Sequence, residues 1–328
     1  MTDILEVDDL HVDFELPRGR LHAVRGASFS LGSGESLGIV GESGSGKSVT
    51  SRAIMGLLPA TTARVKARTL RYGQHDLLDA PERVMRRLRG GEIAMIYQDP
   101  MRALNPIMRV GDQVAEAIRA HEPSLGRKEL STRVVGLLDA VRIPDANKRI
   151  RLYPHQLSGG MRQRIVIAMA LAANPSILIA DEPTTSLDVT VQAEILDLLG
   201  DLQEERGMGM ILVTHDLGVA AWHTNRIMVM YAGRGVEHAT TADLFEDMRM
   251  PYTRALFDSI PRVDMPPGSL LKSVEGRPVD PSNPPPGCAF RERCHLAVEI
   301  CGTTAPPRRQ VGSHWWDCWD DQEEKSVK

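Results

Sequence analysis

Three short stretches and two single side chains have the residue types and spacing to act on a phosphate. The first stretch is Gly41-Glu42-Ser43-Gly44-Ser45-Gly46-Lys47-Ser48. Gly41, Gly44 and Gly46 permit backbone conformations barred to residues with a Cβ, so successive N–H groups can point inward around an anion. A helix opening at Ser48 adds the positive end of its dipole. Lys47 can then reach the β- and γ-phosphates, and the Ser48 hydroxyl can hold Mg²⁺. The bland alternative, a glycine-rich turn matching by accident, is weakened by the apolar run before the motif and the helix-compatible run after it.

The second stretch sets Asp181 and Glu182 at the end of the apolar run Ile177-Leu178-Ile179-Ala180. Paired acids just after a buried strand are costly unless a cation or a reaction needs them. Asp181 would serve Mg²⁺, directly or through water, and Glu182 would polarise the water that attacks the γ-phosphate. The third is Leu157-Ser158-Gly159-Gly160-Met161, which leads into a helix. Ser158 is either a plain N-cap or, with the two glycines, the start of a second anion-binding helix terminus. The single residues are Gln98 and His215, each at the end of a strand-like run. Alone, each reads as an ordinary strand end; sharing the carboxyl edge of one sheet with the glycine loop and Glu182, they read as ligands.

The elements that must hold these groups are legible around them. Glu35–Val40 reads as a buried strand, Ser48–Leu58 as a helix, and Glu92–Gln98, Ile177–Ala180 and Met210–Val213 as further strands, with a helix over Val189–Arg206. Ahead of them, Ile4–Phe14 and His22–Leu31 alternate around Pro17-Arg18-Gly19 as an antiparallel hairpin. Phe14 either packs on the core or offers a flat platform for a purine base. From Val110 to about Ala173 the signals are helical, with amphipathic segments at Gly111–Ala120 and Lys128–Val141, as in an inserted helical subdomain.

With 328 residues, 42% hydrophobic and 25% charged, the chain can bury a large core in one big domain or two. Its net charge of −4 offers no general attraction to nucleic acid or to an acidic membrane. The start, MTDILEVDD, lacks the basic and apolar regions of a signal peptide. The longest apolar stretch, Ile165–Ala180, is broken by Asn174-Pro175 and is too short to span a bilayer. These features predict a cytoplasmic chain that meets membranes only through partners.

The motifs GESGSGKS, Gln98, LSGGM, ILIADEP, TSLD and His215, in this order and at these separations, resemble the nucleotide-binding subunit of an ABC transporter. The resemblance covers roughly Ile4 to Pro261. It implies an α/β P-loop NTPase fold with a RecA-like core, an antiparallel β region and a helical signature subdomain at about 99–173, followed by a small Cys-rich C-terminal extension. The domain division it implies is 1–261 and 262–328. It further implies ATP and Mg²⁺ held by Phe14, Gly41, Ser43, Gly44, Ser45, Gly46, Lys47, Ser48 and Val49, with Gln98 and Asp181 on the metal. Glu182, His215 and Gln98 would act in hydrolysis. Ser158, Gly159, Gly160 and Asp188 would complete the nucleotide site across a head-to-tail dimer. Long coiled coils of chromosome-maintenance ATPases and the double cassette of translation factors are both missing from the pattern. Arg151–Gln156 differs from the TEVGERG of exporters, which favours an importer. Met161 in the signature, the run Tyr97–Pro106 and the tail are similar to the oligopeptide/dipeptide importer branch, with nickel or another small solute as the alternative cargo. Partners implied are a second ATPase, most often a different chain, two transmembrane permeases and an extracytoplasmic peptide-binding protein, at the cytoplasmic face of the membrane.

The tail after Pro261 changes character. Pro266-Pro267 and Pro284-Pro285-Pro286 read as stiff linker. The chain's four cysteines follow, Cys288, Cys294, Cys301 and Cys318, spaced C-x5-C-x6-C-x16-C. Disulfides are disfavoured in the cytoplasm. Structural zinc more often uses closer pairs. A [4Fe–4S] cluster fits the ligand count, and the similarity of Gly287–Cys301 to the peptide-importer extension implies one. Trp315 and Trp316 either shield such a site or pack the small subdomain.

Overall fold

The computed structural model describes residues 3–17, 19–185, 187–260 and 274–319. The alternating N-terminal runs form the expected strands, β1 (Asp3–Leu16) and β2 (Gly19–Gly32). Leu5 and Val7 are buried, then Leu10 and Val12, so the alternation slips by one residue at Asp9, which takes φ +52°. β3 (Ser36–Val40) is buried throughout and delivers the glycine loop to α1 (Lys47–Ile54). This helix stops four residues short of the expected Leu58 because Gly56 turns left-handed at φ +59°, the usual way a helix is ended.

Next come β4 (Ala63–Lys66), β5 (Thr69–Tyr72), β6 (His75–Asp76), α2 (Glu82–Leu88) and β7 (Ile93–Ile96). The helical region comprises α3 (Pro100–Ala103), α4 (Val110–His121), α5 (Arg127–Ala140), α6 (Ala146–Arg149) and α7 (Gly159–Ala170). Then follow β8 (Ile177–Asp181), α8 (Val189–Arg206), β9 (Gly209–Thr214), α9 (Leu217–His223), β10 (Arg226–Tyr231), β11 (Arg234–Thr240), α10 (Thr241–Glu246) and α11 (Pro251–Asp258), and finally β12 (Arg308–Val311) and β13 (His314–Asp317). Among the described residues no helix is long and apolar enough to cross a membrane.

The chain forms two compact units. The first comprises Met1–Ile4, Leu31–Glu35 and Asp79–Val213. Here β7, β8 and β9 run parallel, with Ile93 opposite Ile177 and Ala180 opposite Leu212. Parallel strands covered on both faces read as unbroken apolar runs, and that is why Ile177–Ala180 was so legible. α4 packs on α5 and α7, and Val114, Ile118, Leu130, Val134, Leu138 and Ile165 on these helices are all buried.

The second unit comprises Leu5–Ser30, Ser36–Leu78 and Thr214–Lys328. In it β1 is flanked by β2 and β5, with β4 also pairing antiparallel to β1. β3 runs parallel to β10, β11 pairs antiparallel with β10, and the C-terminal hairpin β12–β13 joins through Glu237 opposite Trp316 and His238 opposite Trp315. The described part of the tail is therefore an integral part of this unit. Phe290 and Trp316 enter one core with Val40, Val229, Tyr231, Tyr252 and Leu256. Pro266-Pro267 lie outside the described residues; Pro284–Pro286 have no regular structure.

Candidate functional site

In the second unit, β3 is followed by a glycine for a steric reason. A Cβ on Gly41 would lie 2.1 Å from the Met230 carbonyl oxygen, well inside contact distance. Gly44 and Gly46 take φ of +80° and +104°, and a Cβ on Gly46 would meet Ala23 O at 2.6 Å. The loop shape thus demands glycine at each of the three positions. Gly46 precedes α1 without any side-chain cap. Lys47 is buried and folds back over the loop, its Nζ donating to Gly41 O at 2.7 Å and Glu42 O at 3.0 Å. Ser43 and Gly44 are exposed, while Ser48 and Val49 are half-buried in the first helical turn. The Ser45 hydroxyl is buried with no hydrogen-bond partner, an orphan that native structures seldom leave without a ligand or water.

Two side chains that sequence reasoning missed brace this loop. The Tyr252 hydroxyl accepts the Glu42 N–H at 2.9 Å. The Arg293 guanidinium grips the Glu42 carboxylate with two bonds, at 2.7 and 2.8 Å. Of the remaining expected groups in this unit, Phe14 is half-buried on β1 opposite Ala63. His215 is exposed just beyond β9, and the next residue, Asp216, caps α9 by accepting from Gly218 N at 2.8 Å.

In the first unit, the separate expectations for Gln98 and Glu182 converge. Gln98, two residues beyond β7, donates its Nε2 proton to Glu182 Oε2 at 2.9 Å. The Thr185 hydroxyl donates to the same oxygen at 3.1 Å. Asp181 closes β8 and is buried. Glu182 takes φ +47°, a left-handed conformation that costs a non-glycine residue about 1–3 kcal/mol. Its N–H bonds Val213 O at 3.0 Å, which fixes the kink and aims the carboxylate off the strand. Ser158 caps α7, accepting from Met161 N at 3.3 Å. A Cβ on Gly160 would come within 2.6 Å of Val191 Cγ1, so this glycine is needed for packing in addition to any ligand. Asp188 caps α8 through Val191 N at 3.0 Å.

The first unit thus holds a carboxylate tethered by an amide and a hydroxyl, and the second a lysine-bearing glycine loop shaped to take an anion. Residues 24–185 match the family model described as ABC transporter, and residues 236–301 match that of the oligopeptide/dipeptide transporter C-terminal region. The dipeptide transport ATP-binding protein DppD of Bacillus subtilis (strain 168) is 47% identical over 330 residues, spanning 100% of this chain and 98% of that protein. The chain belongs to the ABC transporter family. The oligopeptide transport ATP-binding protein OppD of Salmonella typhimurium is 48% identical over 304 residues, 93% of this chain and 89% of that one. Among solved structures, a bacterial ABC transporter cassette, MJ0796, superposes with a TM-score of 0.62 at 27% identity, covering 72% of this chain and 98% of that chain. The same cassette in a dimeric post-hydrolysis state bound to ADP and Pi gives the same values.

This cassette is accordingly an ATPase of the oligopeptide/dipeptide branch. Thr185 is legible as a hydroxyl three residues after Glu182; Tyr252 and Arg293, far from the motifs, carry no local signal. All four cysteines line one cavity with Met250, Pro251, Phe290, Leu296 and Trp319, and none is in a disulfide. Burial pushes the Cys288 thiol up to about 11, and the nearby Cys301, Cys318 and Cys294 push the same way. Yet among the described residues no three His, Cys, Asp or Glu side chains are placed to hold a metal ion. The described side chains therefore present no ready-made site for a single ion such as zinc. Trp319, rather than Trp315 or Trp316, walls the cavity. Trp316 packs in the core, and Trp315 stacks on His238 with ring centroids 5.6 Å apart.

Proposed function

We propose that this cassette is the ATP-hydrolysing subunit that powers import of di- and oligopeptides across the cytoplasmic membrane. The observation that carries the proposal is the presence, in one chain, of an ATPase cassette and the C-terminal region of oligopeptide/dipeptide transporters. Lys47 and the Gly41–Ser48 amides take the β- and γ-phosphates, with the unpartnered Ser45 hydroxyl free to donate to a phosphate oxygen. Phe14 stacks on the adenine. Ser48, Gln98 and Asp181 would hold Mg²⁺, which would supply positive charge to neutralise the phosphates. Glu182 takes a proton from the attacking water, and His215 holds the γ-phosphate end. Ser158, Gly159, Gly160 and Asp188 serve the ATP on the opposite subunit of a head-to-tail dimer with a second ATPase. Closure on ATP and opening after hydrolysis would drive two permease subunits supplied by an extracytoplasmic peptide-binding protein.

We also propose that the four cysteines carry a structural [4Fe–4S] cluster. They share one largely apolar cavity. Their failure to converge on a single point counts against a mononuclear ion more than against a cubane, which takes one thiolate per iron.

The test uses a tagged Glu182→Gln chain recovered from membranes with ATP. Hydrolysis should fall roughly 10²–10⁴-fold, the usual worth of a general base, while ATP binding survives and permeases and a second ATPase stay bound. Normal turnover would move the base elsewhere. Recovery of ribosomes or DNA-repair proteins without any integral membrane protein would overturn transport while leaving the ATPase.

A further inference from the structure

Glu42 is an odd residue to find inside a phosphate-binding loop. Its carboxylate lies between Gly41 and Ser43 and opposes the anion the loop is shaped to hold. The second unit answers that charge from the tail. Arg293 sits on the short turn between Cys288 and Cys294, where Arg291 N bonds Cys288 O at 3.1 Å and Cys294 N bonds Arg291 O at 3.2 Å. Its side chain is only 3% exposed. Besides the fork onto Glu42, it donates to Val274 O at 3.0 Å, Glu275 O at 2.8 Å and the Tyr231 hydroxyl at 3.3 Å. Five bonds thus fix the guanidinium, and a bidentate arginine–carboxylate pair is both strong and directional.

Glu42 in turn is continuous with the catalytic cation, since its carbonyl accepts from Lys47 Nζ at 3.0 Å. We propose that Arg293 is a positioning residue for the phosphate-binding loop, through which the cysteine-bearing tail sets the affinity of the nucleotide site. It cancels the Glu42 charge and holds the loop backbone in the shape that Lys47 needs. Packing of the cysteine cavity places Arg293, so rearrangement there is felt at the ATP phosphates. The inference rests on the assignment of ATP to this loop.

The experiment measures equilibrium binding of a fluorescent ATP analogue to the full chain. Arg293→Gln leaves Glu42 uncancelled and should raise Kd roughly 5- to 150-fold, the usual span of coupling between linked sites, with Arg293→Lys intermediate. Adding Glu42→Gln to Arg293→Gln removes the orphaned charge and should restore most of the affinity. A purely packing role for Arg293 would show no such rescue and would overturn the proposal, as would wild-type affinity in Arg293→Gln. Should Arg293→Gln not fold, Glu42→Gln alone decides: with the tail intact and the guanidinium uncancelled, binding should tighten, and weakening would overturn the proposal. Lys47→Ala, run alongside, must weaken binding. If it does not, the site assignment fails rather than the clamp.

Discussion

Removing one oxygen atom, in Tyr252→Phe, should loosen the phosphate-binding loop without disturbing the core beneath it. Tyr252 is fully buried, and its hydroxyl accepts the Glu42 N–H at 2.9 Å. The ring packs on Tyr231 and Phe290 with centroids 4.5 and 5.3 Å away, and phenylalanine keeps both contacts. The substitution therefore isolates one hydrogen bond. The Glu42 amide then loses its acceptor and bears a desolvation cost of up to about 1–3 kcal/mol. That corresponds to a roughly 5- to 150-fold rise in the local opening constant, at a factor of ten per ~1.4 kcal/mol. Burial holds the phenol pKa above its ordinary value, so the hydroxyl stays neutral and the effect should not vary across ordinary pH. Global unfolding of a chain this long is a poor readout, because larger multi-unit proteins depart from two-state behaviour. Hydrogen exchange resolved to Glu42 reads the opening directly. Unchanged protection there, with the variant otherwise folded, would mean that the amide finds another acceptor and that Tyr252 is only core.

Two further outcomes test the cysteine-bearing tail and the strand it pairs with. Chain purified without oxygen should carry iron and sulfide and absorb broadly at the blue end of the visible, and Cys301→Ser should abolish both; colourless, iron-free protein would dispose of the cluster. His238 should make stability depend on acid. Burial, then the neighbouring Arg226, lower its pKa from 6.5 to about 4, with His314 and Arg308 adding to the effect. The folded state thus binds fewer protons than the unfolded state between those values. The contribution is present in full above about 6.5 and is lost as pH falls toward 4, up to an order of 3 kcal/mol. The urea midpoint of wild type should fall more steeply from pH 7 to 5 than that of His238→Gln; equal slopes would count against a neutral, buried His238.

What could be read ahead of the structure followed the physics of each element. Ile177–Ala180 and Met210–Val213 announced themselves because buried parallel strands are apolar on both faces. Val189–Arg206 matched its helix end to end, with Asp188 as cap and Gly207 turning left-handed at φ +61° after it. The motif glycines were legible because only glycine fits there. The Gln98–Glu182 bond was only implied, since the partners are 84 residues apart. β12 escaped notice for the opposite reason to β8. Its residues, Arg308–Val311, are mostly exposed and polar, and it is a strand only because β13 pairs with it. Arg293 is one of 39 basic residues, and nothing local separates it from the others. Its role arises from a contact with a residue 251 positions away.

Glu42 shows how such distant contacts divide the labour within one loop. Its N–H is held by Tyr252, its carboxylate by Arg293 and its carbonyl by Lys47. Each of its polar groups is therefore engaged by the protein. The next two residues, Ser43 and Gly44, are exposed, and Ser45 keeps its hydroxyl unpartnered. Anchoring is thus concentrated at the entry to the loop and relaxed over the part that must wrap a phosphate. A loop anchored throughout would present its donors to the protein instead of the ligand, whereas one anchored nowhere would pay the ordering entropy on each binding event. The three-point hold on Glu42 pre-orders the loop while leaving the turn beyond it open, so loss of the Tyr252 hold on its amide should weaken nucleotide binding before it unfolds the unit.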